Sequence, residues 1–439
     1  MASDALARIR ARGHIGIRLG LGRMQALLAN LGDPQRSLRG VLIAGTNGKG
    51  SVAAMVSSVL QAAGHSTAGS PSPHLHSYRE RVTIDGEPIG AAELDALLEE
   101  VLAASEPSQE PLGPATEFEL LTAAAYLHAA RREIDVMVME VGLGGRLDAS
   151  NTWDPDVAAV THVGLDHQEF LGHTIESVAA EKAAIIKPGC RAVTGTDGAA
   201  LEVIRARAAE VRAPLLACAP LPVESMSRAG SVLRHPRLGE LRLPLLGTHQ
   251  ARNAAVALGI VEALLDAGVA TISDDAVRAG LEAVRWPGRL ELLEHEGRTI
   301  LIDGAHNPDG MAVLANTVDA LADVLPSGQA TIVLGVMRDK EVGDMLGALL
   351  ASEVLRSARC IATVVPQTDR SLPADELAAR WSALADDAAE AEPDAASALQ
   401  RGLAYAHAAG GLLLITGTLY LVGHLRARLV PGTISDSDA

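Results

Sequence analysis

Aromatic rings are scarce in this 439-residue chain, which has three Trp, four Tyr and two Phe. So few rings cannot supply a row of stacking platforms for single-stranded nucleic acid. Ala, Leu and Val must fill the interior instead. At 48% hydrophobic residues the chain has enough of them to bury sizeable cores, which excludes a disordered protein. Cysteine is rarer still: Cys190, Cys218 and Cys360 form an odd set with wide gaps and no CxxC. That excludes a disulfide framework and a cysteine-based zinc site, and suits a reducing cytoplasm. Cations are outnumbered, with 37 Lys and Arg against 54 Asp and Glu and a net charge of −17. Such a surface repels a phosphate backbone, so nucleic acid is not an expected partner, and any anionic ligand has to be held by a local site. Long apolar runs are missing too. The longest near the end, Gly411 to Gly423, is broken by Thr416, Thr418 and Tyr420 and is too short to cross a bilayer. The Arg-studded start (Arg8, Arg10, Arg12, Arg18) is not followed by the apolar core of a signal peptide. The expectation is a soluble cytoplasmic protein, long enough for two domains.

Short apolar runs alternate with Ala-rich helical stretches. Val41 to Ala44, Val136 to Val141, Val157 to Thr161 and Ala192 to Thr194 read as buried strands of a parallel sheet. Ser51 to Ala63, Ala91 to Ala104 and Phe118 to Ala130 read as the helices between them. A second series follows Trp286-Pro287-Gly288-Arg289: strands at Ile300 to Asp303, Ala330 to Gly335, Ile361 to Val365 and Leu412 to Thr416, with helices such as Met311 to Leu325 and Ala374 to Ala385. The pattern predicts an α/β layered architecture with a boundary near residue 290, where Pro-Gly breaks any helix. The domains are 1–285 and 291–439, joined by a linker at 286–290. Asp386 to Ser397 reads as a solvated helix face or loop, Thr433 to Ala439 as a frayed end, and no fixed-period repeat is present.

Val41-Leu42-Ile43-Ala44 runs into Gly45-Thr46-Asn47-Gly48-Lys49-Gly50-Ser51 and then an Ala-rich helix. A strand, a Gly-rich turn holding Lys and a helix start make an anion cradle. Glycines let backbone N–H groups converge on phosphate, the helix N-terminus adds positive potential, and Lys49 neutralises terminal phosphates. Ser51 can offer a hydroxyl to phosphate or magnesium. Ile43 and Gly50 stand where the generic phosphate-loop pattern wants Gly and Ser or Thr, so the strand–loop–helix context carries the reading more than the letters do.

Glu140 ends an apolar strand and is followed by Gly142, Gly144 and Gly145. A carboxylate at the C-terminal end of a parallel strand points into the crevice where α/β proteins bind ligands. A second strand runs into His162, Asp166 and His167, a set suited to magnesium or phosphate; His162 reads as a hydrogen-bonded structural histidine and His167 as the functional one. Lys182 enters an apolar helix face, and spacing alone favours a snorkelling side chain over a specific task.

These residues together resemble the folylpolyglutamate synthase and dihydrofolate synthase branch of the Mur ligase superfamily. The matching segments are the Gly45–Ser51 loop, Ser72-Pro73-His74-Leu75 with Glu80-Arg81-Val82, Thr116-Glu117-Phe118-Glu119, Glu140 through Ala149, Leu165-Asp166-His167, Glu181-Lys182 and His249 through Asn253. Trp286 through Arg289, Asp303 through Asn307, Asp339-Lys340 and Gly417-Thr418-Leu419-Tyr420 follow in family order. The resemblance implies a P-loop ATPase domain with a parallel-rich sheet and a smaller Rossmann-like α/β C-terminal domain. It implies an ATP-dependent ligase joining L-glutamate to a folate, with dihydropteroate as a further candidate acceptor, through an acyl phosphate; nothing suggests an obligate partner, and a monomer is the default expectation. ATP would be held by Thr46, Asn47, Gly48, Lys49, Gly50, Ser51, Asn253, Arg289 and Asp303. Ser72 and Glu140 would bind one Mg2+ and His167 a second. Lys182 matches the family's carbamylated lysine, a better account of it than snorkelling. Thr116, Phe118, Leu147, Asp148 and Ala149 match the pterin-side pocket, and His306 and Thr418 the site of the incoming glutamate. Lys49, Lys182 and His306 are the expected catalytic groups, with His306 more suited to orienting glutamate than to taking its proton.

Some positions depart from the family pattern. Thr418 replaces a usual Ser, Ala184 a Gly and Glu341 an Asp, while Arg18-Leu19-Gly20 stands where bifunctional bacterial members can carry Asp, and Pro71 precedes Ser72. The last two bear on the pterin-side substrate and not on the ligase chemistry. A Mur-type ligase for another acceptor or amino acid is the alternative, and a P-loop switch protein without ligase activity is the reading from a different class.

Overall fold

The computed structural model describes residues 4–108, 112–385 and 387–433. Its first sheet contains β1 (Gly40–Ala44), β2 (Thr67–Ser70), β3 (Thr83–Ile84), β4 (Glu87–Pro88), β5 (Val136–Glu140), β6 (Val157–Val160), β7 (Arg191–Thr194) and β8 (Leu215–Ala217). They lie in the order β4-β3-β2-β5-β1-β6-β7-β8. All pairings are parallel except β2–β3 and β3–β4. β1 sits between β5 and β6, with Ile43 opposite Glu140 on one side and Ala159 on the other. Alternate side chains leave a strand on opposite faces. Val41, Ile43, Val136 and Val138 accordingly meet Val52, Met55 and Val56 on one side, while Leu42, Met137 and Met139 share the other with Tyr126 and Trp153. Each of these aliphatic side chains is fully or almost fully buried, which is worth about 1.5–3 kcal/mol apiece. Burial on both faces is why these strands read as unbroken apolar runs.

A three-stranded antiparallel sheet follows, formed by β9 (Val223–Ser227), β10 (Gly230–His235) and β11 (Gly239–Leu243) in the order β11-β10-β9. The third sheet has the order β12-β13-β17-β14-β15-β16, from β12 (Glu291–His295), β13 (Arg298–Ile302), β14 (Gly328–Leu334), β15 (Arg359–Ala362), β16 (Glu390–Ala391) and β17 (Gly411–Thr416). Only its β12–β13 pair is antiparallel. The stretch expected as a solvated helix face or loop instead supplies the edge strand β16 and, from Ala395, the start of a helix. Glu390 on that strand accepts hydrogen bonds from Arg401 and from the Tyr405 hydroxyl, so its acidic character serves packing. The expected frayed end lies outside the described residues from position 434 onward. No helix among the described residues is long and apolar enough to cross a membrane.

Gly288 donates its N–H to Glu291 at 2.8 Å and its carbonyl accepts from Gly304. Leu290 donates to Asp303. The segment after Trp286 is thereby fastened to the C-terminal sheet, and the C-terminal ends of β1, β5 and β6 face a crevice below it.

Candidate active site

β1 ends at Ala44 and the helix Lys49–Ala62 begins five residues later. Gly48 has φ +87°, and a Cβ there would collide with Asn253 Oδ1, so only glycine fits. Thr46 builds the loop: its hydroxyl donates to Gly164 O at 2.9 Å and accepts from Gly164 N, and its N–H meets His162 O. Lys49 Nζ donates to the carbonyls of Gly45 and Thr46 and lies 3.9 Å from Glu140 Oε1. Gln250 donates to Ser51 and accepts from Asn253, placing the start of helix His249–Asp266 beside the loop. The Trp286 ring presses on the loop at Gly50, where a Cβ would come within 2.7 Å of it.

Gly45 through Ser51 and Asn253 line a crevice of about 670 Å³ together with Ser72, Glu140, His167, Lys182, Arg289, Asp303 and His306. Glu140 is buried, and burial pushes its carboxyl pKa up against the pull of Lys49. Its one hydrogen bond comes from Ser72 N at 3.3 Å. Ser72 Oγ accepts from Arg81 Nη1 at 2.8 Å. The Ser72 loop is folded by Glu80, which receives the N–H groups of Leu75, His76 and Ser77. Lys182 is buried and its ammonium makes no hydrogen bond among the described residues. Burial, with Lys49 nearby, brings its pKa down to about 7. Asp303 works on the backbone, holding Leu290 N and Ala305 N, with the Arg289 charge beside it.

A second crevice of about 400 Å³ is lined by Thr116, Phe118, Leu147, Asp148, Ala149 and Thr418. His167, His306, Ser72 and Leu143 line both crevices, so the two adjoin. Several polar groups here are internally engaged. Thr116 caps the helix Glu117–Arg131 in a reciprocal box with Glu119, which Arg23 also holds. Asp148 Oδ1 accepts from Ser150 N and Oγ, and its Oδ2 from Leu143 N. Thr418 Oγ1 accepts from Tyr420 N and caps the helix Leu419–Leu429, a task Ser and Thr share.

At the junction, His306 Nδ1 donates to Gly304 O at 2.9 Å, which leaves the Nε2 lone pair facing the crevices. Burial, reinforced by Lys340, lowers its pKa to about 4, so the ring is neutral near pH 7. His167 has φ +49° and its pKa is likewise lowered by burial and by Lys340. His162, expected to be hydrogen-bonded, instead lines the first crevice with a buried Nδ1 that has no partner among the described residues. Sequence reasoning assigned no task to Arg12, Arg81, Lys340 and Arg370, which bring their positive charge to the second crevice. They are the local answer to a field of −17; Arg81 and Lys340 stand in family-matching segments without an assigned task, and Arg12 and Arg370 in none.

Residues 43–261 match the Mur ligase middle domain and residues 288–419 the Mur ligase glutamate ligase domain. The dihydrofolate synthase/folylpolyglutamate synthase of Bacillus subtilis is 35% identical over 440 residues, covering 97% of this chain and 98% of its own. This chain belongs to that family. Folylpolyglutamate synthase of Lacticaseibacillus casei is 35% identical over 93% of the chain and 94% of its own. Among solved members of the family, the Mycobacterium tuberculosis folylpolyglutamate synthase complexed with ADP and AMPPCP superposes with a TM-score of 0.87 at 33% identity, over 98% of this chain and 100% of that one. The Escherichia coli FolC complex with DHPP and ADP superposes with a TM-score of 0.82 at 28% identity, over 97% of this chain and 98% of that one.

Proposed function

We propose that the two crevices are halves of one reaction site, with ATP in the first, a folate or dihydropteroate in the second and L-glutamate at their junction. The chain is an ATP-dependent folate–glutamate ligase. The observation that carries the site assignment is that the crevices adjoin at His167 and His306, between the phosphate loop and the Thr418 helix cap. A carboxylate is a poor electrophile, because its charge is delocalised and its leaving group would be oxide. Transfer of the terminal phosphoryl of ATP to a carboxylate oxygen releases ADP and leaves an acyl phosphate. The glutamate amine then attacks the acyl carbon, a C–N bond forms, phosphate departs and the nitrogen gives up a proton. Lys49 neutralises charge on the transferred group. The acyl phosphate hydrolyses if wet, so a site at the junction of the two halves, able to shed water when substrates fill it, has a purpose. His306, neutral and with its Nε2 lone pair free, orients the glutamate amine.

The donor set fits magnesium. Glu140 and Ser72 offer hard oxygen donors, and the buried Glu140 carboxylate has lone pairs to spare. No three His, Cys, Asp or Glu side chains cluster as a metal site among the described residues, so phosphate and water would have to complete the ion's shell. Ser72 and Glu140 would hold one Mg2+ and His167 a second, and such ions neutralise phosphoryl charge. Lys182 suits carbamylation: its neutral amine adds to CO2, an N–C bond forms and a proton leaves, so a buried cation without an acceptor becomes an anion. The free thiols Cys190, Cys218 and Cys360 suit a reducing cytoplasm.

Phosphate release from the purified protein with ATP, Mg2+ and L-glutamate tests the reading, with dihydropteroate in one reaction and tetrahydrofolate in another. Turnover with both makes it bifunctional, and turnover with tetrahydrofolate alone makes it a chain extender. Silence in both, with ATP bound, overturns the substrate assignment.

A further inference from the structure

Asn307 lies one residue beyond His306 and is buried. Its Oδ1 accepts from Gly310 N at 2.8 Å and so caps the helix Pro308–Ala320. That bond fixes the orientation of the amide, because Gly310 N–H needs an oxygen opposite it. The two amide hydrogens then point across the seam between the two halves of the molecule. One reaches Asn47 Oδ1 in the phosphate loop at 3.2 Å, and the other reaches Asp166 Oδ2 at 3.1 Å. Asp166 is held in turn by Lys340 Nζ at 2.8 Å through its other oxygen, which also takes His167 N. The two halves pack closely beside this chain of bonds: a Cβ on Gly164 would collide with the Asp309 carboxylate. The seam therefore runs Asn47–Asn307–Asp166–Lys340, with His306 next to its second member.

We propose that Asn307 is a positioning residue that ties the seating of the C-terminal half to the geometry of the phosphate loop, holding His306 in register with the transferred phosphoryl. The proposal rests on the ligase reading of the site. A residue that only capped its helix would need one oxygen; Asn307 also uses both of its amide hydrogens, and spends them on the opposite half.

Asn307→Asp separates the two roles, since Asp is as good a cap but donates nothing and sets a carboxylate against Asp166. The expected result is a glutamate KM raised about tenfold or more and a lowered kcat, with a Tm lowered only by the two lost hydrogen bonds and the new like-charge contact because the helix cap is kept. Adding Asp166→Asn to that variant supplies an amide that donates back to the carboxylate newly placed at position 307, and recovery of several-fold over the single variant is expected. Asn307→Ser keeps the cap without adding charge and gives a milder form of the same KM-against-kcat split. Small-angle scattering with bound AMPPCP needs no folate: the Asn307→Asp protein should have a larger radius of gyration than the parent. An unchanged radius, or wild-type kinetics in both single variants, overturns the seam role. A parent protein that turns over no folate overturns the ligase reading and leaves the scattering result to decide the seam by itself. A large loss of Tm in both single variants, with recovery in neither kinetics nor shape on adding Asp166→Asn, reduces Asn307 to a cap and overturns the proposal.

Discussion

The two crevices differ in how far their charged groups are engaged, although Thr46 and Asp303 of the first are held by the backbone much as the second crevice's groups are. In the second, Thr116, Glu119 and Asp148 are engaged with backbone N–H groups, hydroxyls and Arg23, so their task is to build the wall. In the first, Glu140 has one long hydrogen bond, Lys182 has none and His162 Nδ1 has none among the described residues. Leaving buried polar groups unpaired costs about 1–3 kcal/mol each, and such groups are tolerated where a ligand completes them. The contrast separates residues that make a pocket from residues that wait for a reactant.

The sharpest test is Glu140→Gln or Lys182→Ala. Turnover in the phosphate-release assay should fall about a hundredfold to a thousandfold or more, while Tm stays level or rises, because each change removes a costly buried charge. A matching drop in Tm would break the distinction. Asp148→Asn should behave the opposite way. An amide NH2 turned toward Leu143 N or Ser150 N destabilises the fold by about 1–3 kcal/mol, read by urea denaturation, and affects kcat less than folate KM. Acidity offers a third test. Lys182 has a folded pKa of about 7 against an ordinary 10.5. Below pH 7 it is protonated in both folded and unfolded states, and the full burial cost is present; between pH 7 and 10.5 the unfolded chain holds the proton longer, so stability climbs with pH. Carbamylation needs the neutral amine, so turnover should decline from about pH 8 to about pH 6, on either side of that pKa, and bicarbonate should shift that limb downward in pH; indifference to bicarbonate counts against the carbamate. The smallest effect belongs to Thr418. Thr418→Ser should leave kinetics within about twofold, and Thr418→Val should cost the helix cap about 1 kcal/mol in thermal melts.

What could be read from the letters follows from burial. Val41–Ala44 and Val136–Val141 announce themselves because both faces of their strands are covered, so no polar residue interrupts the run before Glu140. β9, β12 and β16 lie at sheet edges, with mostly exposed or half-exposed positions, and carry no apolar period to find. In the site, Gly48, Lys49 and Glu140 were legible because a loop and a strand end fix their surroundings locally. The roles of Asn307 and Asp166 were not, because the partners stand 141 residues apart and meet only across the seam. Asp148 and Thr116 match a family pocket, yet nothing in their spacing tells that their oxygens are engaged on the backbone.

Trp286 has a use that its place in the linker alone would not suggest. The chain has three indoles; Trp153 and Trp381 are fully buried in separate cores, while Trp286 leans on Gly50 of the phosphate loop. Nucleotide binding at that loop, as proposed, should alter the surroundings of this one fluorophore through Gly50 and leave the other two as an internal reference. Tryptophan emission would then gauge occupancy without label, coupling enzyme or folate.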